Sequence, residues 1–153
     1  PGSYTGLRIG VSAAKGLCYA LEKPLLAVPS LLSMAAQDYI EHPEYKGLVC
    51  PMIDARRMEC YAAIFDAKLN VLKETSADII EPGIYDEWLN MDAVTFIGNG
   101  AEKTQDILSV HPNAKWENSF VISAFIASPN LPANLFATLI VATASPSVVV
   151  PAF

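Results

Sequence analysis

Glycine inside a helical pattern sets the tightest limit on what this chain can fold into. The segment Pro1-Gly2-Ser3-Tyr4-Thr5-Gly6-Leu7-Arg8-Ile9-Gly10 is a Gly-rich turn that runs into helical spacing. Leu7, Val11, Ala14, Leu17, Cys18 and Leu21 recur at three- and four-residue steps, which predicts a helix over 5–21 with one buried face. Gly6, Gly10 and Ala13 form a second stripe almost without side chains, with Ser12 and Gly16 beside it. A Gly inside a helix costs about 1 kcal/mol relative to Ala, so Gly6, Gly10 and Gly16 together imply a compensating close approach by something else. An internal strand layer and a second protein's helix meet that demand equally well. Ser3 or Thr5 is the expected cap. The helix start, with Gly2, Ser3 and Arg8, is a candidate seat for an anion.

Downstream, Leu25 to Val28 reads as a short buried strand and Leu31 to His42 as an amphipathic helix, with Ser30 as its N-cap and Met34 in the core. Pro43-Glu44-Tyr45-Lys46-Gly47 punctuates the chain, so a boundary is expected there, with 1–46 in one domain and 47–117 in the next. Leu48 to Asp54 and Arg57 to Phe65 read as strands, and Asp66 to Asn70 as a hairpin connection to a strand over Val71 to Thr75. A short helix over 83–89, a strand over 93–97 and a helix over 101–109 follow. The class is α/β.

Two loops carry candidate chemistry. Asp54-Ala55-Arg56-Arg57 places a carboxylate and two guanidinium groups at a strand end, where Asp54 and Arg56 could order a loop, meet a phosphate or form ion pairs across a subunit boundary. A solvated turn with weak surface ion pairs is the competing account. Gly98-Asn99-Gly100 lies between a strand and a helix, as a turn does when it brings bare backbone to a nucleotide; two glycines around an Asn also make an ordinary turn. No His or second carboxylate is placed to work with Asp54, so no catalytic residue is assigned. His42 and His111 precede prolines and read as surface residues, and no metal site is expected. Cys18, Cys50 and Cys60 lack CxxC spacing and read as free thiols of a reducing cytoplasm.

Charge is spread unevenly. The ten Lys and Arg and sixteen Asp and Glu all lie at or before Glu117, giving a formal charge of −6 that argues against a basic surface able to hold nucleic acid alone. Residues 118–153 carry no charge, and Pro129, Pro132, Pro146 and Pro151 interrupt them too often for a membrane helix. A buried hairpin and a reading-frame error after about Trp116 remain; the second is the expectation adopted, with a tail that has no evolved fold.

PGSYTGLRIGVSAAKGLCYAL, then KPLLAVPSLLSMAAQ, then PMIDARRMECYAAIFD, in that order, resemble the bacterial TsaB family (YeaZ-like) of tRNA threonylcarbamoyladenosine biosynthesis proteins, within the actin-like ATPase and sugar-kinase superfamily. The resemblance covers roughly the first three quarters of the chain. It implies an actin-like ATPase (ribonuclease H-like) fold, with part of a first domain and most of a second βαβ-containing one, in an N-terminally truncated fragment. In the paralogue TsaD, two metal-binding histidines stand four residues apart where this chain has Ser30 and Met34, a hydroxyl and a thioether that are poor ligands for such a metal. The resemblance therefore implies a non-catalytic, cytoplasmic scaffold without a cofactor of its own. Such a subunit would pair with TsaD through Thr5, Gly6, Ile9, Gly10 and Ala13, with the ATPase TsaE joining, ATP or ADP at the complex interface, and tRNA bound only through the complex. A homodimer using the same helix face is expected when the chain is alone, and no membrane is involved. The competing class is an enzyme, an actin-like kinase or a metalloprotease-like member of the superfamily.

Overall fold

The computed structural model describes residues 3–25, 27–117 and Phe120. The chain divides into two compact units, with the break falling between Ser33 and Met34. In the first, helix α1 spans Tyr4–Ala20. Ser3 adopts extended backbone and its Oγ accepts the Gly6 amide at 3.1 Å, so Ser3 rather than Thr5 is the cap. At the other end, Lys23 N–H donates to Cys18 O at 2.9 Å and Glu22 N–H to Tyr19 O at 3.3 Å, with Glu22 left-handed at φ +52°. These are the paired bonds of a Schellman stop, with a glutamate where glycine is usual.

The expected buried face of α1 is not buried. Leu7, Val11, Ala14 and Cys18 are half-buried, Leu17 and Leu21 are exposed, and no residue of the helix is buried. The strand expected over 25–28 is also absent at Leu25, Ala27 and Val28. A strand needs a ladder partner for its amides, and no described strand pairs with this segment.

Helix α2 spans Ser30–Glu41. Its first bond runs from Ser33 N–H to Pro29 O at 3.0 Å, so Ser30 is the first helical residue rather than the cap. Met34 is buried as expected, together with Ala35 and Ala36.

The second unit is built on one sheet. Strands β1 (Leu48–Asp54), β2 (Glu59–Phe65) and β3 (Val71–Ile79) form an antiparallel meander; β4 (Val94–Ile97) and β5 (Ala114–Glu117) are added in parallel on the other side of β1, giving the order β3-β2-β1-β4-β5. The β2–β3 connection is the expected hairpin. Asp66 Oδ1 accepts the amides of Lys68 and Asn70 at 2.9 and 2.8 Å, which fixes the turn. β3 runs past Thr75 because Glu59 to Ala62 supply rungs for Ser76 to Ile79. β2 starts at Glu59 rather than Arg57 because Arg56 and Arg57 are both left-handed, at φ +71° and +47°.

Helix α3 is confined to Asp86–Leu89, following the left-handed Gly83, and the helix expected over 101–109 is a 3-10 turn at Glu102–Thr104 followed by α4 at Gln105–Leu108. The apolar cluster of this unit includes Met52, Ile64, Tyr85, Leu89 and Phe96. Cys50 and Cys60 are buried free thiols, and Cys18 is a half-buried one. The expectation for the uncharged tail lies outside the described residues apart from Phe120, as do Gly2 and Leu26.

Candidate functional site

Two loops that the sequence treats separately meet in space. β1 and β4 run parallel and adjacent, so the Asp54 loop and the Gly98-Asn99-Gly100 turn leave the sheet side by side at its carboxyl end, where open α/β sheets place ligands. The Asp54 amide donates to Asn99 Oδ1 at 3.1 Å, and the Gly100 amide to Met52 O at 3.2 Å. Gly98 is left-handed at φ +94°, and a Cβ there would run into Met34 Cε and the Met52 carbonyl. A Cβ at Gly100 would sit 3.1 Å from Asp54 N, Cys60 Sγ and Ile53 C. Both glycines therefore allow two backbones to touch, and the Gly100 and Ala101 amides are engaged within the protein, the latter with Gly98 O at 3.1 Å.

Lys103 organises this contact, and sequence reasoning missed it. Its ammonium donates to Asp54 Oδ1, to Arg57 O at 2.8 Å and to Glu59 O at 2.7 Å. Three donors meet three acceptors, so one side chain ties the 3-10 turn after β4 to both ends of the 54–59 loop. Asp54 Oδ1 also accepts the Arg56 amide at 2.9 Å. The bonds from Lys103 and the Arg56 amide hold the Asp54 carboxyl below its ordinary range, which makes it a poor proton acceptor and a good loop anchor. Arg56, Arg57 and Met58 stand exposed at the tip. Such a tip can offer planar, permanently charged donors to a phosphate or carboxylate. The signal for Lys103 lay only in tertiary pairing, since a Lys in a predicted helix reads as a surface charge.

The remaining candidates lie on α1, in the other unit. Thr5, Gly6, Ile9 and Ala13 are exposed and Gly10 is half-buried. Ser3 Oγ is engaged by the Gly6 amide, and the Arg8 guanidinium lies 4.2 Å from the centre of the Tyr4 ring. Among the described residues no group of three His, Cys, Asp or Glu could hold a metal ion, and no helix is long and apolar enough to cross a membrane.

Comparison with known proteins places this geometry. The family model TsaD, tRNA N6-adenosine threonylcarbamoyltransferase, matches residues 1–124. The chain is 38% identical over 91 residues to the tRNA threonylcarbamoyladenosine biosynthesis protein TsaB of Bacillus subtilis (strain 168), covering 60% of this chain and 37% of that protein. It is 36% identical over 90 residues to TsaB of Escherichia coli (strain K12), covering 57% of this chain and 38% of that protein. The structure superposes on YeaZ from Pseudomonas aeruginosa with a TM-score of 0.63 at 26% identity, over 79% of this chain and 55% of that one. The chain thus spans less than two fifths of the length of these curated relatives. Its mixed sheet fits the actin-like ATPase-type fold expected from the motifs. The chain belongs to the TsaD family of tRNA N6-adenosine threonylcarbamoyltransferases, and within it is similar to the TsaB and YeaZ proteins.

Proposed function

We propose that this chain is part of a non-catalytic scaffold subunit for tRNA threonylcarbamoyladenosine synthesis, which pairs through α1 with the TsaD paralogue and supports threonylcarbamoyl transfer to the adenosine beside the anticodon. The observation that carries the reading is the state of α1. It is a 17-residue helix with no buried residue, and Ile9, 66% exposed, stands among Thr5, Gly6 and Ala13. An isoleucine beside small side chains is a surface on which a second helix can approach closely.

Met34 supports the non-catalytic part. It stands where the resemblance puts a metal-binding histidine in TsaD, and here it is buried with its Cε against the Gly98 turn. That position serves packing. The net charge of −6 supports a division of labour in which the complex, rather than this chain, supplies the positive field for tRNA. In this reading TsaE joins the assembly in the cytoplasm, ATP or ADP sits at its interface, and Arg56 with the Gly98–Gly100 turn is this chain's contribution to an anion.

The test is pairing with purified TsaD. Gly10→Leu, which adds bulk to the small stripe, abolishes the association in a titration, while Lys68→Ala on the β2–β3 hairpin leaves it unchanged. Unchanged pairing of Gly10→Leu would reject α1 as the docking face. ATP binding and threonylcarbamoyl transfer by the chain without TsaD would favour the enzyme class instead.

A further inference from the structure

The second unit holds a pocket that makes no use of α1 or of Arg56. It has a volume of about 220 Å³ and lies between α2, the turn after it, β4 and β5. Asp38 contributes one wall, and the rings of Tyr45 and Trp116 contribute others. The rings are held by their polar ends: Tyr45 OH donates to Ala93 O at 2.9 Å and Trp116 Nε1–H to Thr104 Oγ1 at 3.3 Å. Tyr45 stacks on Tyr39, and Trp116 on Phe96. The pocket is therefore walled by side chains that cannot easily fold away.

Asp38 is 2% exposed, and its Oδ1 is buried without a hydrogen-bond partner. A buried carboxyl oxygen left without a donor loses its hydration without replacement, which is why such atoms are rare in native proteins. The surroundings of Asp38 are acidic on balance. Glu44 and Glu117 line the same pocket and Glu41 lies on the same helix, against His42 and Lys115. Lys115 does not supply the missing donor; its ammonium lies 5.8 Å from the centre of the Tyr45 ring, which marks that ring as a surface able to take a cation.

We propose that this pocket binds a cationic nitrogen group, a guanidinium or an ammonium, with Asp38 Oδ1 as its acceptor and the Tyr45 and Trp116 rings beside it. An ionised carboxylate only accepts, so its missing partner is a donor, and an acidic, aromatic-walled pocket selects a positively charged one. A metal ion is the poorer fit, because no described cluster has the oxygen, nitrogen or sulfur ligands to hold one. The cation comes either from a small molecule or from an arginine or lysine side chain.

Trp116 is a built-in reporter, because the chain has two tryptophans and Trp88→Phe leaves it alone. The probe is ethylguanidinium, with ethylurea as the neutral isostere at matched ionic strength. The expected result is a saturable change in Trp116 emission with ethylguanidinium only, weakened about tenfold or more by Asp38→Asn. In protein carrying 13C-labelled aspartate, the Asp38 carboxyl resonance titrates at lower pH with ethylguanidinium bound than without it, because a bound cation favours the ionised form, a readout that needs no variant at Asp38. Equal responses to ethylurea, a response that never saturates, or an Asp38 titration unchanged by saturating ethylguanidinium would overturn the proposal. Given saturable binding, agmatine binding more tightly than acetyl-Gly-Arg-Gly-amide identifies a small molecule as the source, and the reverse identifies a polypeptide side chain.

Discussion

Gly98 and Gly100 look interchangeable on either side of Asn99, yet they answer different demands. Gly98 needs a left-handed backbone and space beneath Met34 and the Met52 carbonyl, whereas Gly100 needs only the space against Asp54 and Cys60. Gly98→Ala meets both penalties and is expected to lower stability by about 3 kcal/mol in urea unfolding, more than Gly100→Ala. Glu22 presents the reverse case. It holds a left-handed position that favours glycine, so Glu22→Gly should strengthen the C-terminal stop of α1 by about 1 kcal/mol, read as helicity by circular dichroism. Asp38 supplies a pH dependence. Burial, more than any neighbour, raises its carboxyl above the ordinary value, with Glu117 and Glu41 adding to the rise and His42 opposing it. The folded chain thus holds that proton to higher pH than the unfolded chain does. Its contribution is fully present below the unfolded value and is lost as pH rises through the folded one. Urea midpoints measured from about pH 4 upward should fall more steeply for the native chain than for Asp38→Asn.

Elements differ in how far their own residues specify them. β1 and the Asp66–Asn70 hairpin were legible because an apolar run and an Asx-type turn are local signals, and each sits where the residues put it. β5 was not, since Ala114-Lys115-Trp116-Glu117 has no strand pattern of its own and is a strand through the rungs that β4 offers. The strand expected over 25–28 is absent at Leu25, Ala27 and Val28 for the opposite reason, a strand-like composition with no described strand to complete it. The site follows the same rule. Asp54, Arg56 and the Gly98–Gly100 turn were found as motifs, but their meeting depends on β1 and β4 being adjacent and on Lys103, which no motif contains. The 54–59 loop should therefore respond to Lys103 more than to either arginine. Lys103→Met removes three bonds from a mostly buried ammonium and should cost about 2 kcal/mol, with faster hydrogen exchange at the Arg56 and Glu59 amides; Arg57→Ala should change neither.

At the scale of the molecule, the described residues of the two units differ in how completely they bury apolar side chains. The sheet unit encloses Val49, Met52, Ile64, Phe96 and Ile97, whereas α1 leaves Ile9, Leu17, Tyr19 and Leu21 exposed. The helix pattern in the sequence correctly located α1, but a pattern records which residues want cover and not what covers them. A helix face so exposed can be met by an internal layer, by a partner or by its own copies, because apolar area removed from water is worth about 25 cal/mol per Å² wherever the second surface comes from. Purified alone, the chain should therefore self-associate with a concentration-dependent sedimentation coefficient. Ile9→Lys with Leu17→Lys should weaken that association at least about a hundredfold, since burying each side chain contributes roughly 2 kcal/mol and a buried lysine opposes it. Both sites are exposed, so the double variant should keep the helicity and urea midpoint of the native chain. The same variant should lose TsaD in the pairing assay if one face serves both contacts. Retained self-association would assign it to another surface, such as the β3 edge with its exposed Val71, Leu72 and Ile79, and loss of TsaD pairing alone would show that α1 serves the heterologous contact only.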